Sequence, residues 1–175
     1  MSRIGTLDPQ NVPENIAIIL QEIHQAFGRI PNLFLTYAHH SPLLEANWNK
    51  VKQVMMEGDL SRKTKEAIAL LVSQDNGCNY CVAAHTGALK MIGVSDEEIE
   101  RMSSQLDDAD FTAQERALIR FARKANSDPH RVSDHEFQAL KATGATDAQI
   151  VEALGVMELF TAFNKFLDVL EVDLG

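Results

Sequence analysis

The sequence predicts an all-α protein of orthogonal or bundled helices, and three observations carry that prediction. Four segments open with Ser or Thr followed three residues later by Glu or Gln: Ser95…Glu98, Thr112…Glu115, Ser133…Glu136 and Thr146…Gln149. In such a capping box each side chain satisfies a backbone N–H that the first helical turn leaves without a partner. Glycines stand where helices should stop, at Gly58, Gly77, Gly93 and Gly144, because a left-handed residue closes the last turn. No stretch alternates apolar and polar residues as a half-buried strand would.

The elements follow in order. Pro13 after Val12 and Pro42 after Ser41 open helices near 13–28 and 42–57, since the fixed φ of proline suits a first turn. Gly58 closes the second. The helix near 62–76 contains Ala67-Ile68-Ala69-Leu70-Leu71-Val72. That run is apolar nearly all round, so it reads as buried. Gly77 separates it from a helix near 79–92, and Gly93 ends that one. The caps at Ser95, Thr112, Ser133 and Thr146 start helices near 96–105, 113–126, 134–143 and 147–171. In the last, Phe160, Phe163 and Phe166 make an apolar stripe suited to the core or to a subunit interface.

An offset of 51 residues aligns Ser61 with Thr112, Ser95 with Thr146, Ala88-Leu89-Lys90 with Ala139-Leu140-Lys141, and Gly93 with Gly144. One domain over 1–175 is expected, with repeat-like units at about 60–100 and 111–151 packed around one core. Only the first unit carries reactive residues: Pro129 falls opposite Cys78 and Glu136 opposite His85.

Composition narrows the function. The chain has 175 residues, is 45% hydrophobic and carries a net charge of −9. Its densest basic run is Arg62-Lys63 plus Lys65, so a nucleic-acid footprint is not expected. No apolar stretch reaches membrane-spanning length, and the first residues lack the apolar core of a signal peptide. A cytoplasmic protein is expected. There, a cysteine pair serves catalysis or a metal more often than structure.

The chemistry concentrates in Cys78-Asn79-Tyr80-Cys81-Val82-Ala83-Ala84-His85, which holds both cysteines of the chain. A cysteine at a helix start meets exposed N–H groups and the positive end of the macrodipole, which favour thiolate. Cys78, Cys81 and His85 stand at i, i+3 and i+7 on one stripe, so His85 is placed to accept a thiol proton. Cys78 has the dipole and exposure argument for attacking first, and Cys81 has the histidine. Glu66, on the preceding helix, is expected at the height of His85 in an antiparallel hairpin, given a rise of ~1.5 Å per residue. Entering a buried helix, its carboxyl is expected to bind its proton more tightly through desolvation. The alternative for Glu66 is an exposed carboxylate paired with Arg62 or Lys63.

Leu60-Ser61-Arg62-Lys63-Thr64-Lys65-Glu66 followed by the C-x-x-C-x3-H segment resembles the alkylhydroperoxidase D-like branch of the carboxymuconolactone decarboxylase family. Gly93-Val94-Ser95-Asp96-Glu97-Glu98-Ile99 fits as well. The flanks, Ile30-Pro31-Asn32-Leu33-Phe34 and Phe111-Thr112-Ala113-Gln114-Glu115-Arg116-Ala117-Leu118, are similar to its peroxidase-related subgroup. The resemblance implies an alkylhydroperoxidase D-like fold, a homo-oligomer and thiol-dependent reduction of hydroperoxides. It assigns catalysis to Glu66, Cys78, Cys81 and His85, with an external thiol as electron donor. The only cofactor implied is a redox-active Cys78–Cys81 disulfide. One position departs: Tyr80 replaces the histidine that the best-known peroxidase members carry before the second cysteine. A tyrosine, with an unperturbed pKa near ~10, is a poor base and acts here as a possible modulator.

Three alternatives are kept open. A zinc site from Glu66, Cys78, Cys81 and His85 would take three ligands from one helical stripe, which is poor tetrahedral geometry. A lactone decarboxylase of the same family would work without the thiols. A redox sensor would form the disulfide without turnover. Elsewhere, His39-His40 reads as a loop pair, Asp107-Asp108-Ala109-Asp110 as a solvated loop, and Phe27, Leu33, Phe34 and Trp48 as ordinary core rather than a substrate pocket.

Overall fold

The computed structural model describes residues 2–175. Among them there is no strand, and nine α-helices form: α1 (Glu14–Phe27), α2 (Asn32–Tyr37), α3 (Ser41–Val51), α4 (Arg62–Asp75), α5 (Asn79–Met91), α6 (Asp96–Ser104), α7 (Ala113–Ser127), α8 (Asp134–Ala142) and α9 (Asp147–Leu170). The all-α class is as the caps and glycine stops require. The boxes at Thr112, Ser133 and Thr146 close in both directions.

The fourth box is only half made. Ser95 accepts from the Glu98 N–H, but the Glu98 carboxylate turns away to accept from the Asp110 N–H at 2.6 Å. It also pairs with Lys63 and Arg101. A tertiary partner has displaced the local one. Two further details depart from expectation. α2 carries no sequence signal of its own, because it has six residues and starts after Pro31 without a side-chain cap. The helix expected to run from 42 to 57 changes register after Val51 into one π-helical turn, Lys52–Met56.

α4 is the hub. Every residue from Thr64 to Ser73 is buried, and α5, α7 and α9 pack around it. That follows from a segment with apolar residues on all sides, which has no face to offer water. α4 and α5 form an antiparallel hairpin across Gly77, and α9 packs on both. Phe163 is 1% exposed in this interface, while Phe166 stacks on Tyr37 at 3.9 Å. The phenylalanine stripe of α9 therefore serves the core. Phe27 and Phe34 each meet Trp48 edge to face at 5.7 Å and bind α1 to α2 and α3.

Lys65, part of the densest basic run in the sequence, lies inside. Its side chain is 2% exposed and pairs with Glu152 of α9 at 2.6 Å. Glu152 also accepts from the N–H groups of Asp59 and Leu60, and Lys65 donates to the Glu57 carbonyl. A buried ammonium needs such a set of partners. Gly58, at φ +103°, belongs to the same knot: a Cβ there would run into the Glu152 carboxylate. α4 and α7 start 51 residues apart, at Arg62 and Ala113, as do α6 and α9, at Asp96 and Asp147, whereas α5 and α8, at Asn79 and Asp134, start 55 apart.

His39 and His40 do belong to a turn. His39 bonds the Gly5 carbonyl and His40 caps α3. In the acidic stretch, Asp107 pairs with Arg120 and Asp110 with Lys63 on the exposed surface. No helix among the described residues is long and apolar enough to cross a membrane.

Candidate functional site

The turn between α4 and α5 builds the site. Gly77 adopts φ +77°. Its N–H donates to the Gln74 carbonyl, and the Cys78 N–H donates to the Ser73 carbonyl, each at 3.0 Å. These are the two bonds of a Schellman motif, which the positive φ of glycine permits. The chain thus reverses in a fixed geometry, and Cys78 becomes the residue that caps α5. Cys81 follows in the first turn and His85 one turn on.

The hairpin brings His85 against Glu66. Their Nδ1 and Oε2 atoms are 2.6 Å apart, and both side chains are nearly inaccessible. The second carboxylate oxygen of Glu66 pairs with Arg62, one turn earlier on α4, at 2.6 Å. The alternative of an exposed Glu66 paired with Arg62 is half right: the pair forms, but the carboxylate is buried. Burial pushes the Glu66 carboxyl up, but the His85 bond and charge together with the Arg62 guanidinium outweigh it and hold the carboxyl below its ordinary value. The expected rise is therefore reversed, because the bonds to His85 and Arg62 more than offset desolvation. A carboxylate bonded to Nδ1 fixes the imidazole orientation and leaves Nε2 for chemistry.

The two cysteines are free thiols, adjacent and buried. Cys78 is 0% exposed, so the argument from its exposure is overturned: the Schellman turn folds its side chain inward. The Cys81 thiol donates to the Cys78 sulfur and lowers its pKa, against burial and against the Asp168 carboxylate, to which the Cys78 thiol can donate. The Cys78 sulfur and burial push Cys81 up, opposed by hydrogen bonds from Asn164 and Ser73. The pair therefore gives up one proton and holds the second tightly, as two thiolates side by side repel.

A cavity of about 280 Å³ opens beside this group. Cys81, His85, Glu66, Arg62 and Tyr80 line it, together with Phe27, Leu33, Phe34, Phe160 and Phe163. Phe27, Leu33 and Phe34, expected as plain core, are pocket wall as well; Trp48 packs behind them. Phe160 meets the His85 ring edge to face at 4.2 Å and so holds it from the other side. Tyr80 accepts the Leu33 N–H at 3.2 Å, and burial raises its pKa. It holds its proton and is not placed to act as a base. Cys78 does not line the cavity. No group of three or more His, Cys, Asp or Glu side chains among the described residues is arranged to hold a metal ion.

The sequence reading missed Asn164, Ser73 and Asp168. A signal existed for two of them. Asn164 falls on the buried stripe of α9 with Phe160 and Leu167, and Ser73 falls two turns after Glu66 on α4. A polar residue on an apolar face requires a partner.

The family model of the carboxymuconolactone decarboxylase family matches residues 42–124, a segment that includes α4, the turn and α5. An alkyl hydroperoxide reductase of Mycobacterium tuberculosis is 29% identical over 96 residues, 55% of this chain but 28% of that protein. The chain thus spans less than a third of that relative. The alkylhydroperoxidase AhpD core of a peroxidase-related protein from Ralstonia eutropha JMP134 covers 99% of the chain at a TM-score of 0.88 and 26% identity, with 92% of that chain matched. A peroxidase-related protein from Silicibacter sp. TM1040 shares the fold at a TM-score of 0.88 and 22% identity, over 99% of this chain and 92% of its own.

Proposed function

We propose that the protein is a thiol-dependent peroxidase that reduces organic hydroperoxides through Cys78 and Cys81. The observation that carries this reading is a largely apolar cavity whose wall holds Cys81 and His85, with Glu66 bonded to the far side of the imidazole. The similarity to an alkyl hydroperoxide reductase and to an AhpD core points to the same class.

Since Cys81 faces the cavity and Cys78 does not, Cys81 meets the peroxide. His85 Nε2 takes the Cys81 proton, directly or through one water, Glu66 stabilises the imidazolium, and the Cys78 thiol turns to donate to the new Cys81 thiolate, so that the pair still releases only one proton. The thiolate attacks the outer peroxide oxygen. An S–O bond forms, the O–O bond breaks, and the alkoxide recovers the proton from His85 and leaves as alcohol. Sulfur is oxidised to sulfenic acid and the peroxide is reduced. Cys78 then gives its proton to Asp168 and attacks Cys81. The S–S bond forms, and hydroxide leaves with a proton as water. An external dithiol returns two electrons and two protons by exchange.

The test measures hydroperoxide consumption with a dithiol donor for wild type and Cys81→Ser. Equal rates would remove the proposal. Thiol titration after one equivalent of hydroperoxide should show two thiols lost per chain. Activity on a carboxylated lactone that survives loss of both thiols would favour the decarboxylase reading, and a disulfide formed without turnover would favour a sensor.

A further inference from the structure

Behind the dithiol lies a chain of polar side chains that the mechanism above does not use. Asn164 and Ser73 are each 0% exposed. They lie on α9 and α4 and meet at 3.0 Å, with Asn164 Nδ2 donating to Ser73 Oγ. Both lie beside the Cys81 thiol, near enough to favour its anion. Asn164 Oδ1 accepts from Asn76 Nδ2 at 2.9 Å. Asn76 Oδ1 in turn accepts from Asn126 at 2.9 Å, and Asn126 Oδ1 accepts from Thr161 at 2.7 Å.

The chain fixes the polarity of its inner end. Because Asn164 Oδ1 is committed to the Asn76 amide, the Nδ2 group must face Ser73 and Cys81. One of its hydrogens goes to Ser73 Oγ, which leaves the other for the sulfur. Ser73 Oγ, having accepted that bond, keeps its own hydrogen to donate. Two donors thus stand beside one sulfur, and neither belongs to the cavity wall. A neutral thiol accepts hydrogen bonds weakly, while a thiolate accepts them well. Donors fixed in a dry interior stabilise the anion without reorganising when it forms.

We propose that Asn164 and Ser73 are catalytic residues that hold the Cys81 thiolate, and that Asn76 is a positioning residue that sets the Asn164 amide. The proposal deepens the peroxidase reading and rests on it for the word catalytic. It supplies what Tyr80 cannot: stabilisation of charge on Cys81 from a direction independent of His85. Along the hairpin, Glu66 with His85 manages the proton and Ser73 with Asn164 manages the charge left behind.

The experiment reads the sulfur itself. In a Cys78→Ser background only Cys81 is alkylated, and the rate of iodoacetamide reaction against pH gives its ionisation midpoint. Asn164→Leu removes one donor at similar size; Ser73→Ala removes the other with little change in packing. Each should raise the midpoint by about one pH unit, the size expected for losing a hydrogen bond to a charged group. Circular-dichroism melts identify the variants that remain folded, and Ser73→Ala serves if Asn164→Leu does not. An unchanged midpoint in the folded variants overturns the proposal, whatever the peroxide turnover. A raised midpoint in a protein whose wild type consumes no hydroperoxide keeps the two donors and overturns the peroxidase reading instead.

Discussion

At the scale of residues, the site turns on how four side chains divide a proton and a charge. Cys78 and Cys81 give up a first proton more readily than a second, and only Cys81 borders the cavity. Cys78→Ser should therefore still react once with hydroperoxide but stop at sulfenic acid. Trapping with dimedone, followed by mass measurement, should show one adduct per chain in the variant and none in wild type. Glu66 governs a second prediction. Burial raises its carboxyl, but His85 and Arg62 prevail and lower it overall. A group with a lowered folded pKa adds stability that is complete above its unfolded value, near 4.5, and lost as pH falls through the folded value. Melts from pH 7 to 3 should show wild type losing stability below about pH 4.5, and Glu66→Gln a flatter acid limb from a lower starting point. A Gln variant with the same acid slope would show that the two cations do not set this carboxylate.

At the scale of elements, the α4–α5 turn converts sequence spacing into site geometry. The expectation that Glu66 and His85 share a height depends on a tight reversal, and the Schellman bonds at Gly77 and Cys78 supply it. No atom would crowd a Cβ at Gly77, so Gly77→Ala tests only the φ of +77°. It should cost about 1–2 kcal/mol through left-handed strain, read as a lower midpoint in denaturant. It should also slow peroxide turnover if relaxing the turn shifts Cys78. The motif spacing, the glycine stop and the three closed capping boxes were all legible because each is a local, backbone-level device. Three features were not. The half-made box at Ser95 fails because Glu98 finds Asp110, Lys63 and Arg101 across the fold. The burial of Cys78 follows from the Schellman turn, which folds its side chain inward rather than towards solvent. The lowering of Glu66 depends on His85, whose 2.6 Å contact is made only when α4 and α5 pack, together with Arg62, whose i, i+4 spacing was legible.

At the scale of the molecule, α4 is enclosed by its neighbours, and the ties across it decide stability. Lys65 and Glu152 join α4, α9 and the loop at Asp59 and Leu60 in one buried knot. Glu152→Ala would leave a buried ammonium without its counter-charge and two N–H groups without an acceptor. It should destabilise by about 3–5 kcal/mol, the range for breaking one side of a buried pair. The double replacement Lys65→Met, Glu152→Leu should recover much of that loss, because it leaves no buried charge behind. Thermal melts of the three proteins check both; an equal loss in single and double variants would show that the backbone bonds of Glu152, rather than the charge pair, hold the knot.

Reading along the chain suffices for every helix but α2, for the hairpin and for picking out Glu66, Cys78, Cys81 and His85 as candidates, because caps, glycine stops and helical spacing act within a few residues of one another. It does not reveal which thiol faces a ligand, what sets the charge of Glu66, or that Asn164, Ser73 and Asp168 meet the sulfurs. Those contacts join α4, α5 and α9 across up to 91 positions. Only the packed core, which leaves no buried polar group without a partner, decides where such residues meet.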